Sequence, residues 1–521
     1  MKVVERDATG ALLTVYSEPG SKKLAKRSEG TANREGSAYL ELLSRFMSKV
    51  FLPEGYPKTV SPDYMRYQIL NALQAFCSSL AGMLSSRATL EGYGVGNASA
   101  SATNALLLTV LQDATGRLTT ILAAYHFGSS LMPEAKTYRF LADILNDIAI
   151  VLDTLSPLLA TLPVLASLPK IIPVPFRVYT LCISSSLRAL CGIAAGGSKT
   201  AITLHFSTPL EGTGNLGDLN AKDSSKETVL GLMGMLLGTL VVPYLTTPFS
   251  TYSTLLLLVM LHLGINYLAV RGVILRTLNR QRAALAWCMY RGPIQPTEHC
   301  PRAPRPGDVA QIESIFHRPE VILDDSGTPL GHCSIGSSIG TVLSQSMSIP
   351  TVVFDTLKNE KYVLWFDPKC LSHRSSPDSP VVIGTPHIHI FLKEGHRSFD
   401  HLRAWLHAIE VARSVKREML AQREKLRNRV GNALQNQSGK LELELDGGAL
   451  EASKLMSSAY EVIKKETSSF VDTMISEKWA FSNVDGVKEL EVSLMTGPPI
   501  TVIADVLEED GLDSEESRKS R

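Results

Sequence analysis

Residues 228–270 read TVLGLMGMLLGTLVVPYLTTPFSTYSTLLLLVMLHLGINYLAV and contain no Asp, Glu, Lys or Arg. A single helix of this length would run roughly 65 Å, about twice the hydrocarbon thickness of a bilayer. Pro243 and Pro248 lie near its middle, where each removes a backbone donor and disfavours helix in the preceding residue. The stretch therefore predicts a helical hairpin that crosses a membrane and returns. A buried hairpin inside a soluble protein is the alternative.

Positive charge flanks both ends of this hairpin. Two lysines precede it and five arginines follow it, namely Lys222, Lys226, Arg271, Arg276, Arg280, Arg282 and Arg291. Both ends would then face the same, cytoplasm-like side of the membrane, as a hairpin requires. Gly231, Gly234 and Gly238 lie close together on the first arm, where small residues let another helix approach closely.

Length, charge and cysteine usage bound the class of protein. The chain of 521 residues has room for about two to four domains, and its net charge of +1 provides no argument for nucleic-acid binding. Its seven cysteines show no CxxC pair, which argues against a disulfide framework and for a reducing compartment. The N-terminus, MKVVERDATG, lacks the apolar core of a signal peptide. We therefore expect an integral protein of an intracellular membrane, inserted through internal helices.

The sequence predicts a mainly α fold: a multispan helical membrane core with an appended small soluble α+β domain. The predicted parts are a disordered N-terminal arm at 1–36, the helical membrane core at 37–291, a Pro-rich linker at 292–330, the soluble α+β domain at 331–506 and an acidic disordered tail at 507–521.

Apolar runs, helix-start signals and prolines place the elements within these parts. Helices are expected over 38–50, 63–86, 102–125, 134–155 and 176–206, and the dense polar segment 215–227 predicts a solvated loop before the hairpin. Five prolines interrupt residues 155–175, so that segment cannot be one straight helix. In the α+β domain we expect strands at 351–355, 361–366, 387–392 and 499–506, and helices at 399–432 and 450–476.

Ionisable residues inside apolar helices are the candidate functional residues. Asp113 and Arg117 lie four apart and share a helix face, which predicts a structural ion pair or one wall of a substrate path. A charged stripe follows on the next helix, formed by Lys136, Arg139, Asp143 and Asp147, with Asn146 beside it. This stripe is either a solvated helix face or an inward-facing polar site. The candidate site is completed by His205, Asn215, Asp218 and Lys222.

Several motifs, in this order along the chain, carry a family resemblance. They are Phe51–Pro57 (FLPEGYP) with Ser61–Tyr64 (SPDY), Gly94–Gly96, Leu111–Asp113 with Gly116–Arg117, Lys136–Asp147 (KTYRFLADILND), His205–Phe206 and Asn215–Thr228. Over roughly residues 45–290 the sequence resembles the root UVB sensitive (RUS) proteins. The resemblance implies a membrane-associated protein whose plant relatives are tied to root UV-B responses, early development and vitamin B6 balance. It implies no known enzymatic activity.

Two hypotheses of function remain open at this point. The first is a carrier or channel-like protein for a small polar or anionic metabolite, in which Lys136, Arg139 and Lys222 meet the ligand. In that hypothesis Asp113, Asp143, Asp147 and Asp218 balance charge or carry protons. The second is a non-enzymatic membrane adaptor that assembles protein partners, or further copies of itself, through its C-terminal domain.

No catalytic constellation, cofactor or metal is expected. The sequence offers no nucleophile–base pair. Two runs resemble phosphate loops, but the one at 92–96 follows a predicted helix, the one at 192–200 lies inside a predicted helix, and no strand leads into either. His387 and His389 share a strand face, but no Cys or carboxylate lies at an accepted zinc spacing nearby. The expected partners are therefore the lipid bilayer, a metabolite or another protein, and no nucleic acid.

Overall fold

The computed structural model describes residues 2–6, 12–17, 25–26, 46–93, 95, 101–161, 176–210, 212–294, 302–344, 349–368, 385–436, 449–484 and 486–503. The chain divides into a helical unit, Met1–Arg276 with Ser314–Phe316, and a C-terminal unit, Thr277–Glu313 with His317–Arg521. Residues 162–175 of the proline-rich segment, and the acidic tail predicted at 507–521, lie outside the described residues.

The helical unit contains the helices predicted over 63–86, 102–125, 134–155 and 176–206 and both arms of the predicted hairpin; of the helix predicted at 38–50, only the part from residue 46 lies within the described residues, and it is helical. The four predicted helices and the two hairpin arms correspond to α1 (Tyr64–Gly92), α2 (Ala102–Phe127), α3 (Ala135–Thr161), α4 (Phe176–Phe206), α5 (Leu216–Val241) and α6 (Pro248–Arg271). A 3-10 turn at Val242–Tyr244 separates α5 from α6, so the uncharged stretch breaks at its prolines as predicted. Thr247 then caps α6, its hydroxyl accepting from the Ser250 N–H at 3.1 Å.

The polar segment before the hairpin is helical, and the prediction of a loop over 215–227 was wrong. Helix α5 begins at Leu216, and the Asn215 side chain accepts a hydrogen bond from the Asp218 N–H at 3.1 Å. An N-cap and an acid in the first turn both stabilise the start of a helix. Here they outweigh the polarity of the residues that follow.

Helix α3 occupies a central position in the helical unit. It packs against α1, α4 and α6, while α1 also packs against α5 and α6, and α2 packs against α4. Within the part of the chain that the structure describes, four helical segments are long and apolar enough to cross a membrane: Tyr64–Glu91, Phe176–Phe206, Leu216–Tyr244 and Pro248–Arg271. The hairpin exposes large apolar side chains such as Leu236, Leu240, Leu256 and Met260.

The C-terminal unit is an α+β structure around a mixed sheet. Strand β7 (His387–Lys393) pairs parallel with β5 (Pro329–Ile335) and antiparallel with β6 (Tyr362–Phe366). The other elements of this unit are α7 (Arg280–Arg291), α8 (Pro306–Ile312), β4 (Val321–Leu323), α9 (Ile339–Ser344), α10 (Thr351–Thr356), α11 (Ser398–Asn436), α12 (Ala449–Ser476), β8 (Phe481–Val484), β9 (Val487–Leu490) and β10 (Thr501–Val502). Helix α11 packs against the sheet, α7 and α12. The predicted strands at 361–366 and 387–392 and the two long helices are thereby confirmed.

Helix α7, which the sequence analysis assigned to the membrane core, belongs to the C-terminal unit. Its residues Arg280 to Met289 are all buried. Arg280 Nε donates to the carbonyl of Leu494 at 2.6 Å, and Arg282 Nη1 pairs with Glu313 at 2.7 Å. Arginines that the sequence analysis took for a charged membrane flank are therefore buried side chains with partners. By its contacts α7 packs with the C-terminal unit, whereas the predicted core extends to residue 291.

Three further predictions differ from the structure. The predicted linker 292–330 contributes α8 and β4 to the C-terminal unit, because its prolines start and end short elements instead of forming a tether. Residues 351–356 form a helix, where Pro350 precedes the first turn and Val353 is buried. The N-terminal arm pairs antiparallel strands Lys2–Arg6, Leu12–Ser17 and Ala25–Lys26 (β1–β3), since β-branched residues in this segment favour extended backbone.

Candidate functional site

Polar side chains meet in the interior of the helical unit, where α1, α3 and α6 pack together. We call this group the central polar cluster. It consists of Asn71, Gln74 and Ser78 on α1, Arg139, Asp143, Asn146 and Asp147 on α3, and His262 and Asn266 on α6. The stripe on α3 is therefore covered by neighbouring helices, and of the two readings of that stripe the inward-facing one agrees with this arrangement.

His262 lies at the centre of the cluster and is 1% exposed. Its Nδ1 is 2.7 Å from Asp147 Oδ2, and its Nε2 is 2.5 Å from Gln74 Oε1. Gln74 Nε2 donates to Asn71 Oδ1 at 3.0 Å, and Arg139 Nη2 donates to the same oxygen at 3.1 Å. These contacts form one continuous chain of hydrogen bonds from Arg139 to Asp147.

A second branch surrounds Asp143. Asn266 Nδ2 donates to Asp143 Oδ2 at 2.5 Å, and Asn146 Nδ2 donates to Ser78 Oγ at 3.2 Å. Three buried polar atoms of the central polar cluster have no hydrogen-bond partner among the described residues: Asp147 Oδ1, Asn266 Oδ1 and Arg139 Nε. An unpaired buried polar atom costs about 1–3 kcal/mol. The cluster can therefore supply two acceptors and one cationic donor to a small polar ligand.

A cleft of about 160 Å³ opens near the turn of the hairpin. It is lined by residues of α1, α3, α6 and the turn, among them Leu84, Arg87, Thr154, Pro157, Thr251 and Tyr252. The buried apolar residues Ala81, Leu84, Ile150 and Leu255 form a separate small core. Along each of α1, α3 and α6 the order is cleft, apolar core and central polar cluster. The apolar core thus lies between the cleft and the cluster.

His205 belongs to a different polar group, at the opposite ends of these helices. Its Nε2 is 3.1 Å from Asp63 Oδ2, which also accepts from the Ile274 N–H at 2.7 Å. Burial alone would raise the pKa of Asp63, but the hydrogen bonds and charge of His205, with the Ser61 hydroxyl, outweigh it. The pKa of this carboxyl is therefore below its usual value.

The remaining predicted residues around α5 act locally. Asn215 caps the helix, Asp218 Oδ2 accepts from the Glu54 N–H at 2.7 Å, and Lys222 donates to the carbonyl of Lys49. These contacts tie the start of α5 to the segment that precedes α1. They do not bring Asn215, Asp218 or Lys222 to the central polar cluster.

Helix α2 keeps its two charges away from the cluster. Asp113 and Arg117 are both exposed, and no ion pair between these two described residues is seen. Helix α2 contacts α4 and leaves most of its apolar residues exposed. The hypothesis that Asp113 and Arg117 line the same interior site was therefore wrong, because sharing a helix face does not decide which way that face points. Lys136 is buried at the start of α3.

His262, Asn266, Gln74 and Asn71 are cluster residues that were not predicted from the sequence. The first two lie inside the uncharged stretch, which is defined by the absence of Asp, Glu, Lys and Arg. A usable signal was present, because His262 and Asn266 are four apart and share one face of an otherwise apolar arm. Polar side chains on one face of an apolar helix point to the interior of a bundle.

Histidines of the C-terminal unit serve packing and hydrogen bonding. Burial lowers the pKa of His407 to about 4, and its ring nitrogens contact the Tyr362 hydroxyl at 3.2 Å and the Met456 carbonyl at 3.0 Å. The rings of His332 and His387 stack with centroids 4.9 Å apart. Among the described residues, no group of three or more His, Cys, Asp or Glu could hold a metal ion.

Comparison with known proteins places the helical unit in a family. Residues 39–291, which include the whole central polar cluster, match the family described as the vitamin B6 photo-protection and homoeostasis domain. The chain is 34% identical over 276 residues to RUS family member 1 of Dictyostelium discoideum, covering 52% of this chain and 47% of that protein. It is 33% identical over 286 residues to protein root UVB sensitive 3 of Arabidopsis thaliana, covering 54% of this chain and 61% of that protein.

The match to protein root UVB sensitive 2, chloroplastic, of Arabidopsis thaliana is weaker, at 27% identity over 249 residues. It covers 47% of this chain and 52% of that protein, so the chain spans about half the length of the curated relatives it matches. No solved structure matches the chain. The resemblance carried by the sequence motifs is confirmed, and the chain belongs to the root UVB sensitive (RUS) family through its residues 39–291.

Proposed function

We propose that the helical unit is a membrane-embedded carrier for a small polar or anionic metabolite, and that this metabolite is a form of vitamin B6. The observation that carries the proposal is the central polar cluster, buried inside a unit whose outer helix faces are apolar. A lone ionised side chain at the bilayer centre costs about 2.5–3.5 kcal/mol on insertion scales. Ionisable groups at such depth mark a functional site by default.

The exposed apolar side chains support the membrane part of the proposal. Leu236, Leu240, Leu256 and Met260 are each about half exposed or more, and all lie on the two arms of the hairpin. Contiguous apolar surface of this kind on a helical unit fits lipid better than water. The charged helix α3, by contrast, is covered by its apolar neighbours, which is the arrangement of a polar path through a bundle.

The chemistry of the cluster supports a B6 vitamer. These molecules carry a pyridine nitrogen, hydroxyl groups and, in the phosphorylated forms, a dianionic phosphate. A carboxylate that partners the pyridine nitrogen is a recurrent feature of sites that bind the B6 cofactor. Asp147 Oδ1 offers such an acceptor, Asn266 Oδ1 offers a second, and Arg139 offers a cationic donor. The family description, which concerns vitamin B6 homoeostasis, agrees with this choice.

The path that a ligand would follow also has a candidate entrance. The cleft near the hairpin turn ends on the small apolar core, beyond which lies the cluster. In this proposal the core of Ala81, Ile150 and Leu255 closes the path from that side, and movement of α6 against α1 and α3 opens it. Alternation of this kind about a buried site is typical of secondary transporters.

Uptake of labelled vitamers into liposomes tests the proposal. Liposomes containing only the purified chain should accumulate pyridoxine or pyridoxal 5′-phosphate above empty liposomes. Asp147→Asn and Arg139→Gln should each reduce the initial rate at least tenfold. Asp113→Asn removes a carboxylate from the exposed face of α2 and should retain the wild-type rate. Equal flux through the wild type and the three variants would exclude a role of the central polar cluster in transport. Flux no higher than in empty liposomes would exclude the carrier function itself.

A membrane adaptor is the second candidate function. It is favoured by a cleft of about 240 Å³ in the C-terminal unit, where apolar residues of β5 and α11, including Leu330, Met419 and Leu420, form most of the lining. An adaptor would show no flux in liposomes, and Leu420→Asp would release its protein partner without changing membrane attachment. Vitamer flux through the pure chain that survives Leu420→Asp would favour the carrier instead.

A further inference from the structure

We propose that Asp147 and His262 share one exchangeable proton, and that the helical unit moves this proton together with its metabolite. The inference rests on the proposed carrier function and names the ion that drives it. It follows from the order of donors and acceptors along the hydrogen-bond chain described above.

Arg139 determines the polarity of that chain. A guanidinium group has only donors, so the atom of Asn71 that it contacts at 3.1 Å must be the amide oxygen. Gln74 approaches the same oxygen at 3.0 Å and must present its NH₂ group there. The other side-chain atom of Gln74, its amide oxygen, is then the one that faces His262 at 2.5 Å. Each assignment is forced by the one before it.

The amide oxygen of Gln74 accepts, so His262 Nε2 must carry a hydrogen. A neutral imidazole has only one N–H, and here it is used by Gln74. Nδ1 nevertheless lies 2.7 Å from Asp147 Oδ2, a second acceptor when the carboxyl is ionised. The contact is a hydrogen bond only if one further proton is present, on the ring or on the carboxyl. The pair therefore holds that proton as a unit.

The groups around the pair make release of this proton unfavourable unless something else compensates the buried carboxylate of Asp147. The charged or titratable groups around the pair are Asp143 on α3, Cys77 on α1 and Cys191 on α4, which packs against α3. Arg139 is connected to the pair through Asn71 and Gln74. Without the shared proton, the Asp147 carboxylate would face a ring lone pair, one helical turn from the carboxyl of Asp143. Both members of the pair are at most 3% exposed on their side chains, so water cannot compensate.

A ligand can compensate where water cannot. Asp147 Oδ1 and Asn266 Oδ1, both without a partner among the described residues, adjoin the proton-bearing pair. A donor group of the metabolite that reaches Asp147 Oδ1 changes the proton affinity of the same carboxyl. By linkage, the proton then changes the affinity for the metabolite by the same factor.

Nitrogen-15 NMR of labelled histidine in the full-length detergent-solubilised chain tests the shared proton directly. His262→Gln identifies the His262 signals, and Asp113→Asn serves as the matched control. We expect Nε2 to remain protonated while the Nδ1 signal and the infrared carboxyl band of Asp147 change together over one pH range. Asp147→Asn, which supplies a permanent N–H donor to Nδ1, should abolish that joint change. A His262 that titrates identically in wild type and in Asp147→Asn would overturn the inference.

Transport separates this inference from the proposed function. In liposomes under an imposed pH gradient, wild-type uptake of pyridoxine should change at least fivefold relative to no gradient. Asp147→Asn should lose that response even if it still exchanges vitamer at equilibrium. If wild-type uptake were the same with and without the pH gradient, coupling to the proton would be excluded, and the carrier function would be retained. Absence of all uptake, with the joint spectroscopic change intact, would overturn the carrier while the shared proton stands.

Discussion

The buried pair of Arg282 and Glu313 leads to the sharpest prediction about the fold, because it decides where the C-terminal unit begins. Both side chains are 4% exposed and their charged atoms are 2.7 Å apart. Removing one member of such a pair leaves an uncompensated buried charge and costs about 3–5 kcal/mol. An exposed ion pair contributes only about 0.2–1 kcal/mol. The two magnitudes are far enough apart to distinguish burial in this unit from a charged flank in water.

Tryptophan fluorescence provides an assay specific to this unit. The chain has four tryptophans, Trp287, Trp365, Trp405 and Trp479, and all of them are buried in the C-terminal unit. In urea, with a slope of about 3 kcal/mol per molar, a loss of about 4 kcal/mol would lower the midpoint of the tryptophan transition by about 1.3 M.

We expect that shift for Arg282→Met and for Glu313→Leu, each in the full-length chain. The double variant should recover most of the loss, because apolar replacement of a whole buried pair is often neutral or stabilising. Arg305→Met is the matched control: Arg305 pairs with Glu477 at 3.0 Å but is 70% exposed, so it should cost less than about 1 kcal/mol. If Arg282→Met shifts the transition no more than Arg305→Met does, helix α7 is not buried in this unit.

Three further predictions concern packing and pH. A Cβ on Gly234 would lie 2.5 Å from Ser79 Cβ, whereas one on Gly231 would meet nothing within 4 Å. In thermal unfolding of the protein in detergent, Gly234→Ala should therefore lower the stability by about 1–3 kcal/mol, and Gly231→Ala should change it little. Because folding lowers the pKa of Asp63, its carboxylate stabilises the folded state above about pH 4, and this stabilisation is lost as the pH falls through the folded pKa. Asp63→Asn should therefore lower the free energy of unfolding at pH 7, and in acid the variant and the wild type should become equally stable. Burial lowers the pKa of His407 to about 4, so as the pH falls this histidine is protonated in the unfolded state before it is protonated in the folded state. The free energy of unfolding, monitored by tryptophan fluorescence, should therefore fall by about 3 kcal/mol from pH 6.5 to 4, and it should fall less in His407→Gln.

Local sequence patterns were sufficient for most helices and for the break in the hairpin. The apolar composition of α1, α2 and α4 and the prolines at 243 and 248 act over one or two turns, where neighbouring residues alone determine the preference. Patterns failed where tertiary contacts reversed the local preference. Residues 351–356 are rich in β-branched side chains yet form a helix, and the polar start of α5 is helical because its cap outweighs its composition.

In the candidate site, too, local spacing predicted some features and tertiary packing decided the others. The charged stripe on α3 was visible as a spacing, since residues three or four apart share a helix face. Asp113 and Arg117 also share a helix face but are exposed, because the spacing of residues defines a face without determining what covers it. Membership of the root UVB sensitive family was likewise readable from ordered motifs.

Helix positions, the hairpin and family membership thus follow from neighbours along the chain. The pairing at the heart of the cluster joins residues 115 positions apart for Asp147 and His262, and 188 positions apart for Gln74 and His262. Assignment of α7 to the C-terminal unit depends on a partner for Arg280 that lies 214 positions away. Such contacts form only when helices or strands pack, and packing is determined by the shape and burial of the whole unit instead of by any one segment.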